Sequence, residues 1–164
     1  KRMTRSGVYL LLGTNEGDRL QNLATATAWI VEKIGNVARS SGIYQTEAWG
    51  KTDQPVFYNQ VIEIQTDLPA AALLSNILSI ENQMGRVRTE KWGARIIDID
   101  ILFYHETVVN DASLTIPHPG IPERRFCLVP LNEIAPELIH PVLKINVSSM
   151  LERCGDTLEV KAVG

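Results

Sequence analysis

The sequence predicts an α+β sandwich of ferredoxin-like type, an antiparallel sheet with helices packed on one face and the other face left to a ligand. Three observations lead there. The apolar pattern switches between helical and strand periods in the order strand, helix, strand, strand, helix, strand. At 164 residues and 45% hydrophobic content the chain is long enough for one core and short for two, so residues 1–164 are read as a single domain with residues 1–6 flexible. No internal repeat, low-complexity tract or linker divides it.

Taken in order, Val8 to Leu12 is a continuous apolar run ended by Gly13-Thr14-Asn15-Glu16-Gly17-Asp18, a buried strand turning into a helix. Leu20, Leu23, Thr27, Ile30 and Ile34 recur at spacings of three and four and line one face of that helix, and Gly35 sits where it stops. Val37 to Tyr44 reads as the second strand. A loop with Gly50 and Pro55 leads to Phe57 to Thr66, where β-branched and aromatic residues alternate with polar ones as in a half-buried third strand. Asp67 and Pro69 open a second helix whose stripe is Leu73, Ile77, Ile80 and Met84, up to Gly85. Ile96 to Phe103 is the fourth strand, after which Pro117, Pro119, Pro122, Pro130, Pro136 and Pro141 break the remainder into short pieces.

Composition narrows the function. With 16 basic and 19 acidic residues the net charge is −3, so no global field favours nucleic acid or an anionic membrane, and neither is expected as a partner. Any anion site must be a local cluster. Residues 1–6 are basic and polar, and the run Val8 to Leu12 is too short for a signal core or a membrane span, so a cytoplasmic location is expected. Cys127 and Cys154 match no metal-ligand spacing and are read as reduced, structural thiols. The chain is expected to act as a monomer.

The most informative segment is Ile96-Ile97-Asp98-Ile99-Asp100-Ile101-Leu102-Phe103. Side chains alternate in a strand, so Asp98 and Asp100 project together with α-carbons roughly 6 to 7 Å apart, while Ile97, Ile99 and Ile101 turn to the core. Two adjacent carboxylates repel, and burying either alone costs several kcal/mol on the order given by transfer data. A hard divalent cation removes both problems, and magnesium on only two protein carboxylates takes its further ligands from water and substrate. The alternative is an edge strand whose wet face carries paired acids against aggregation.

Immediately before them, Gly85-Arg86-Val87-Arg88-Thr89-Glu90-Lys91-Trp92-Gly93-Ala94-Arg95 places four cationic side chains within eleven residues. Polyphosphate held through magnesium needs donors for its remaining oxygens, and arginine offers a planar fork. Gly85 and Gly93 would let the loop move, and Trp92 could close over a flat base and exclude water. The bland reading is a solvated basic turn with Trp92 on the core. Neither a G-x-x-x-x-G-K-[ST] nor a G-x-G-x-x-G pattern occurs, so phosphates would be held by side chains and metal rather than by a glycine-rich cradle.

Lys91-Trp92-Gly93-Ala94-Arg95-Ile96-Ile97-Asp98-Ile99-Asp100-Ile101-Leu102 resembles the signature of the 6-hydroxymethyl-7,8-dihydropterin pyrophosphokinase family, including its R-x-x-D-x-D core. Gly13-Thr14-Asn15, Asp53-Gln54-Pro55, Asn59, Glu81, Gly85-Arg86-Val87-Arg88, Pro117-His118, Arg124, Phe126 and Pro130-Leu131 agree with it in order and spacing, from Val8 to about Pro141. The resemblance implies pyrophosphoryl transfer from ATP to the hydroxymethyl-dihydropterin, with ATP as co-substrate and two magnesium ions on Asp98 and Asp100. It implies that Arg86 and Arg95 contact the transferred phosphates and share in catalysis. Arg88, Lys91, Trp92, Ile101, Thr115, His118 and Arg124 would complete the nucleotide site. Asn59 would read the pterin, Phe57 and Phe126 would sandwich it, and Thr46 would line its pocket.

Phe57 and Asn59 also make sense on their own, two apart on one strand and so aimed at one ligand, the amide offering both donor and acceptor. Without the resemblance both phenylalanines read as core residues. The sequence departs from the pattern at Ala48, where proline is usual, and at Leu78, Ser113 and Pro119, which bear on adenine contacts. Two rival readings stay open on the residues alone. One is a ferredoxin-like RNA-binding module, which Asp98 and Asp100 would disfavour by repelling a phosphate backbone. The other is an ordinary kinase that makes ADP.

Overall fold

The computed structural model describes residues 7–47, 55–85 and 96–163. The expectations for residues 1–6, for Ala48, Gly50 and Asp53-Gln54, and for the basic-loop residues Arg86, Arg88, Lys91, Trp92 and Arg95 lie outside the described residues.

The apolar run at the start forms strand β1 (Val8–Thr14), buried along its whole length. Asp18 then caps helix α1 (Arg19–Lys33), its carboxylate accepting from the Gln21 N–H at 3.1 Å. Strands β2 (Asn36–Ser40), β3 (Tyr44–Thr46) and β4 (Phe57–Gln65), helix α2 (Ala70–Gln83) and strand β5 (Asp98–Tyr104) follow. A small hairpin of β6 (Val109–Asn110) and β7 (Thr115–Ile116), helices α3 (Arg125–Ile134) and α4 (Val147–Arg153), and strand β8 (Lys161–Ala162) complete the order. The main sheet runs β5-β1-β4-β3-β8, with β2 also on β4, and every pairing in it is antiparallel.

Because β1 is apolar on both faces, it is covered on both. On one side Val8, Leu10, Leu12, Ile62, Ile97, Ile99 and Ile101 pack against Leu23, Ala26 and Ile30 of α1 and Leu73, Ile77 and Ile80 of α2. On the other, Tyr9, Leu11, Val61, Leu102 and Phe103 pack against Cys127, Leu128, Leu131 and Ile134 of α3 and Val147 and Met150 of α4. The ferredoxin-like α+β expectation holds, with one correction. The second sheet face is not wholly open, because the proline-broken remainder folds into two helices, α3 packed on β3 and β4 and α4 packed on α3.

Two further differences are local. The single second strand expected over Val37 to Tyr44 is two strands, since the Ser41 hydroxyl takes the Val61 N–H at 3.0 Å and so replaces a rung of the ladder between them. Leu20 is 52% exposed rather than part of the α1 stripe. At about 100° per residue it sits some 60 to 80° around the helix from Leu23 and Ile30, enough in the first turn to miss the sheet.

Candidate active site

Cross-strand partners share a sheet face, so the register locates the expected site residues relative to one another. Gly13 of β1 lies opposite Asp98 of β5 on one side and Asn59 of β4 on the other, and Asn59 in turn lies opposite Tyr44 of β3. One row along, Leu11 separates Asp100 from Val61. In the other direction Phe57 stands opposite Thr46. Asp98, Asp100, Phe57 and Asn59 therefore look out from one face, the one that carries Leu11, Val61 and α3. Asp98 and Asn59 are two strand spacings apart, roughly 10 Å between α-carbons.

Between them Gly13 leaves a bare floor. A Cβ there would lie 3.1 Å from Asn59 Oδ1 and 3.8 Å from Phe57 Cδ1, so a side chain at this position would crowd both. The Asn59 amide is fixed at its other end, Nδ2 donating to Thr46 Oγ1 at 3.1 Å, and both residues are buried. This leaves Asn59 Oδ1 directed over the floor as an acceptor. Phe57 is half-buried, as are Asp98 and Asp100. Phe126, second residue of α3, is half-buried and packs on the same cluster as Leu11 and Val61. The register thus brings Phe57, Asn59, Thr46 and the two aspartates to one end of one face, and Phe126 packs against the apolar cluster of that face.

His118 and Arg124 join them from the chain that precedes α3. The His118 N–H bonds Leu102 O at 3.1 Å, which ties this segment to β5. Its Nδ1 accepts from the Gly120 N–H at 3.0 Å, so the neutral ring carries its proton on Nε2 and presents it as a donor. Burial holds His118 below the usual histidine range; the Arg124 guanidinium adds to that and the Asp100 carboxylate opposes it. His118 is accordingly neutral at pH 7 and sits within the field of both groups. Arg124 is exposed, its guanidinium 5.8 Å from the Phe126 ring centroid. Cys127 lies in the same field: burial first, and then Asp100, pushes its thiol up to about 12.

Other expected nucleotide residues lie apart. Ile101 is 6% exposed and packs into the core with Ile97 and Ile99, on the face away from the aspartates. Thr115 is half-buried in β7, and the hairpin packs along β5. Of the positions that depart from the family pattern, Leu78 is exposed on α2 and Ser113 lies in the turn before β7, bonded to Asp111.

Glu81 agrees with the family pattern in position, but the sequence assigns it no role. It is 5% exposed on α2, and its Oε2 accepts from the Ile99 N–H at 2.8 Å, between the two aspartates on the strand. The signal was a carboxylate on the buried stripe: Leu73, Ile77 and Ile80 are followed at once by Glu81, the eighth residue on from Leu73. Among the described residues no group of three or more histidine, cysteine, aspartate or glutamate side chains could hold a metal; Asp98 and Asp100, two apart on one face of β5, offer two carboxylates to one. That donor set fits magnesium, which takes few protein ligands and completes its shell with water and phosphate oxygen.

The family model for 7,8-dihydro-6-hydroxymethylpterin-pyrophosphokinase matches residues 9–136. A protein of Methylorubrum extorquens named 2-amino-4-hydroxy-6-hydroxymethyldihydropteridine pyrophosphokinase is 46% identical over 138 residues, covering 84% of this chain and 86% of its own length. The folic acid synthesis protein fol1 of Pneumocystis carinii is 39% identical over 149 residues, which is 91% of this chain but 20% of that protein. A solved Plasmodium falciparum HPPK-DHPS triple mutant superposes with a TM-score of 0.75 at 20% identity, covering 92% of this chain and 44% of that one, a likeness of fold alone. The chain therefore spans most of the first relative and less than half of the other two.

Proposed function

The chain belongs to the 7,8-dihydro-6-hydroxymethylpterin-pyrophosphokinase family, and on that premise we propose that Asp98 and Asp100 are the centre at which pyrophosphate passes from ATP to the pterin. The reaction moves the terminal two phosphates of ATP onto the hydroxymethyl oxygen of 6-hydroxymethyl-7,8-dihydropterin. It gives the pterin diphosphate and AMP, in folate synthesis. The observation that carries the assignment is the row Asp98, Gly13, Asn59, which sets an acidic pair and an amide about one heterocycle apart across a bare glycine floor.

In this reading Asn59 binds the pterin edge, with Phe57 and Phe126 on its two faces and Thr46 holding the amide in place. A ring so held points its hydroxymethyl group along the row toward Asp98 and Asp100. Two magnesium ions on these carboxylates would neutralise the triphosphate and the charge that develops as AMP leaves. His118, through Nε2–H, and the Arg124 guanidinium donate to phosphate oxygens, as do Arg86 and Arg95 of the basic loop. Arg88, Lys91, Trp92, Ile101 and Thr115 complete the nucleotide site. Phosphoryl transfer passes through a loose transition state, so alignment and charge stabilisation suffice and no strong base is required.

The test is a product assay. Protein, ATP, magnesium and the hydroxymethyl-dihydropterin are mixed and the nucleotide product is separated by chromatography. AMP is expected; ADP would make the chain a plain kinase and overturn the assignment of pyrophosphoryl transfer.

A further inference from the structure

The pterin ring can be stacked only if Phe57 is held still, yet Phe57 is the first residue of β4 and its pairing partner Thr46 is the last of β3. Toward Pro55 the ladder no longer fixes the backbone. Side chains from the turn between β1 and α1 do so instead. Asn15 Nδ2 donates to Pro55 O at 3.2 Å, and Arg19 Nη1 donates to Val56 O at 2.8 Å. The same Arg19 guanidinium lies 4.2 Å from the centroid of the Tyr58 ring. One planar cation thus grips the residues on both sides of Phe57, from the α1 face of the sheet, while Phe57 projects to the opposite face.

The grip is itself anchored. Arg19 is the first residue of α1, whose cap is Asp18, and Asn22 one turn on donates from Nδ2 to Thr14 Oγ1 at 3.1 Å and to Glu16 O at 2.7 Å. Thr14 and Asn15 are both fully buried. Buried Thr14 and Asn15 and the bonds of Asn22 thus tie the start of α1 to the end of β1, beside which Arg19 stands.

We propose that Arg19 is a positioning residue for the pterin, clamping Val56 and Tyr58 so that the Phe57 ring is presented to the ligand at a fixed angle. This rests on the pterin site proposed above. Arginine suits the task because its fork can bond a carbonyl in plane while its face stacks on an aromatic ring. Loss of the clamp lets the start of β4 sample other angles, and ring stacking is lost without removal of any group that touches ligand.

Arg19→Met, which keeps the apolar stem, and Arg19→Lys, which keeps the charge and a donor, test it alongside Asn59→Ala. For Arg19→Met the KM for the hydroxymethyl-dihydropterin should rise about tenfold, with kcat at saturating pterin and the KM for ATP within about twofold of the parent. Arg19→Lys should recover part of that loss. A purely structural role would lower the melting temperature and shift both substrates alike, and that result overturns the clamp. If Asn59→Ala weakens pterin binding while Arg19→Met leaves it unchanged, the clamp falls and the pterin site stands. If both variants bind pterin as the parent does, the site assignment falls and the clamp with it. Should Arg19→Met fail to fold, an unchanged pterin KM in Arg19→Lys overturns the proposal on its own.

Discussion

Individual side chains in this protein are set by their nearest partners, and titration can read those settings directly. Tyr44 donates its hydroxyl to Glu133 Oε1 at 2.7 Å, and that bond first, with burial and the Glu133 charge behind it, raises its pKa from 10 to about 12. Ultraviolet titration should find Tyr44 ionising near the upper value, and Glu133→Gln should return it toward the ordinary range. The sign for stability follows. Between pH 10 and about 12 the folded chain keeps a proton that the unfolded chain has lost, so this contribution is complete below pH 10 and vanishes as pH rises toward about 12. The thiols offer a second check. Cys127 is fully buried with its pKa near 12, whereas Cys154 is partly exposed, so a thiol reagent at pH 8 should label Cys154 and spare Cys127. Equal labelling in the native state would contradict the packing of α3.

Elements show where the sequence was legible. Period is a strong signal when one stripe meets one core: the expected stripe Leu73, Ile77 and Ile80 is the buried face of α2, and Pro69, one of the two expected start signals, is its N-cap. Ile77→Ala should therefore cost about 2 to 5 kcal/mol in a denaturation experiment, as a fully buried large-to-small change does. The break between β2 and β3 was not legible, because it depends on one hydroxyl substituting for a backbone partner, and Ser41 looks like any strand serine in the sequence. The helices α3 and α4 were not legible either: Pro130 lies inside α3, and the apolar residues around it show their purpose only once the far face of β1 needs cover. Glu81 joins two elements. Glu81→Leu would leave the buried Ile99 N–H without this acceptor, at about 1 to 3 kcal/mol, while Glu81→Gln should keep most of the bond. Similar melting temperatures for the two variants would show that the bond contributes little.

At the scale of the molecule, the fold divides its labour between two faces of one sheet. The α1 and α2 face holds the larger apolar cluster and supplies rigidity; the α3 face is apolar as far as Leu11 and Val61 and then gives way to Gly13, Asn59, Asp98 and Phe57. The change in character falls along β1 itself, from the continuous run Leu10-Leu11-Leu12 to Gly13 and Thr14, and that change could be read from the sequence. What could not be read was that β3, β4, β1 and β5 stack their key residues into adjacent rows, since strand order and register are set by long-range pairing. In the proposed function Asp98 and Asp100 act together at the end of those rows, facing the residues proposed to bind the pterin. The most direct measurement is kcat for Asp98→Asn and Asp100→Asn with magnesium, ATP and pterin all saturating, on variants whose melting temperature matches the parent. Each substitution should lower turnover by on the order of 10²-fold or more; turnover equal to the parent in either variant would contradict the account.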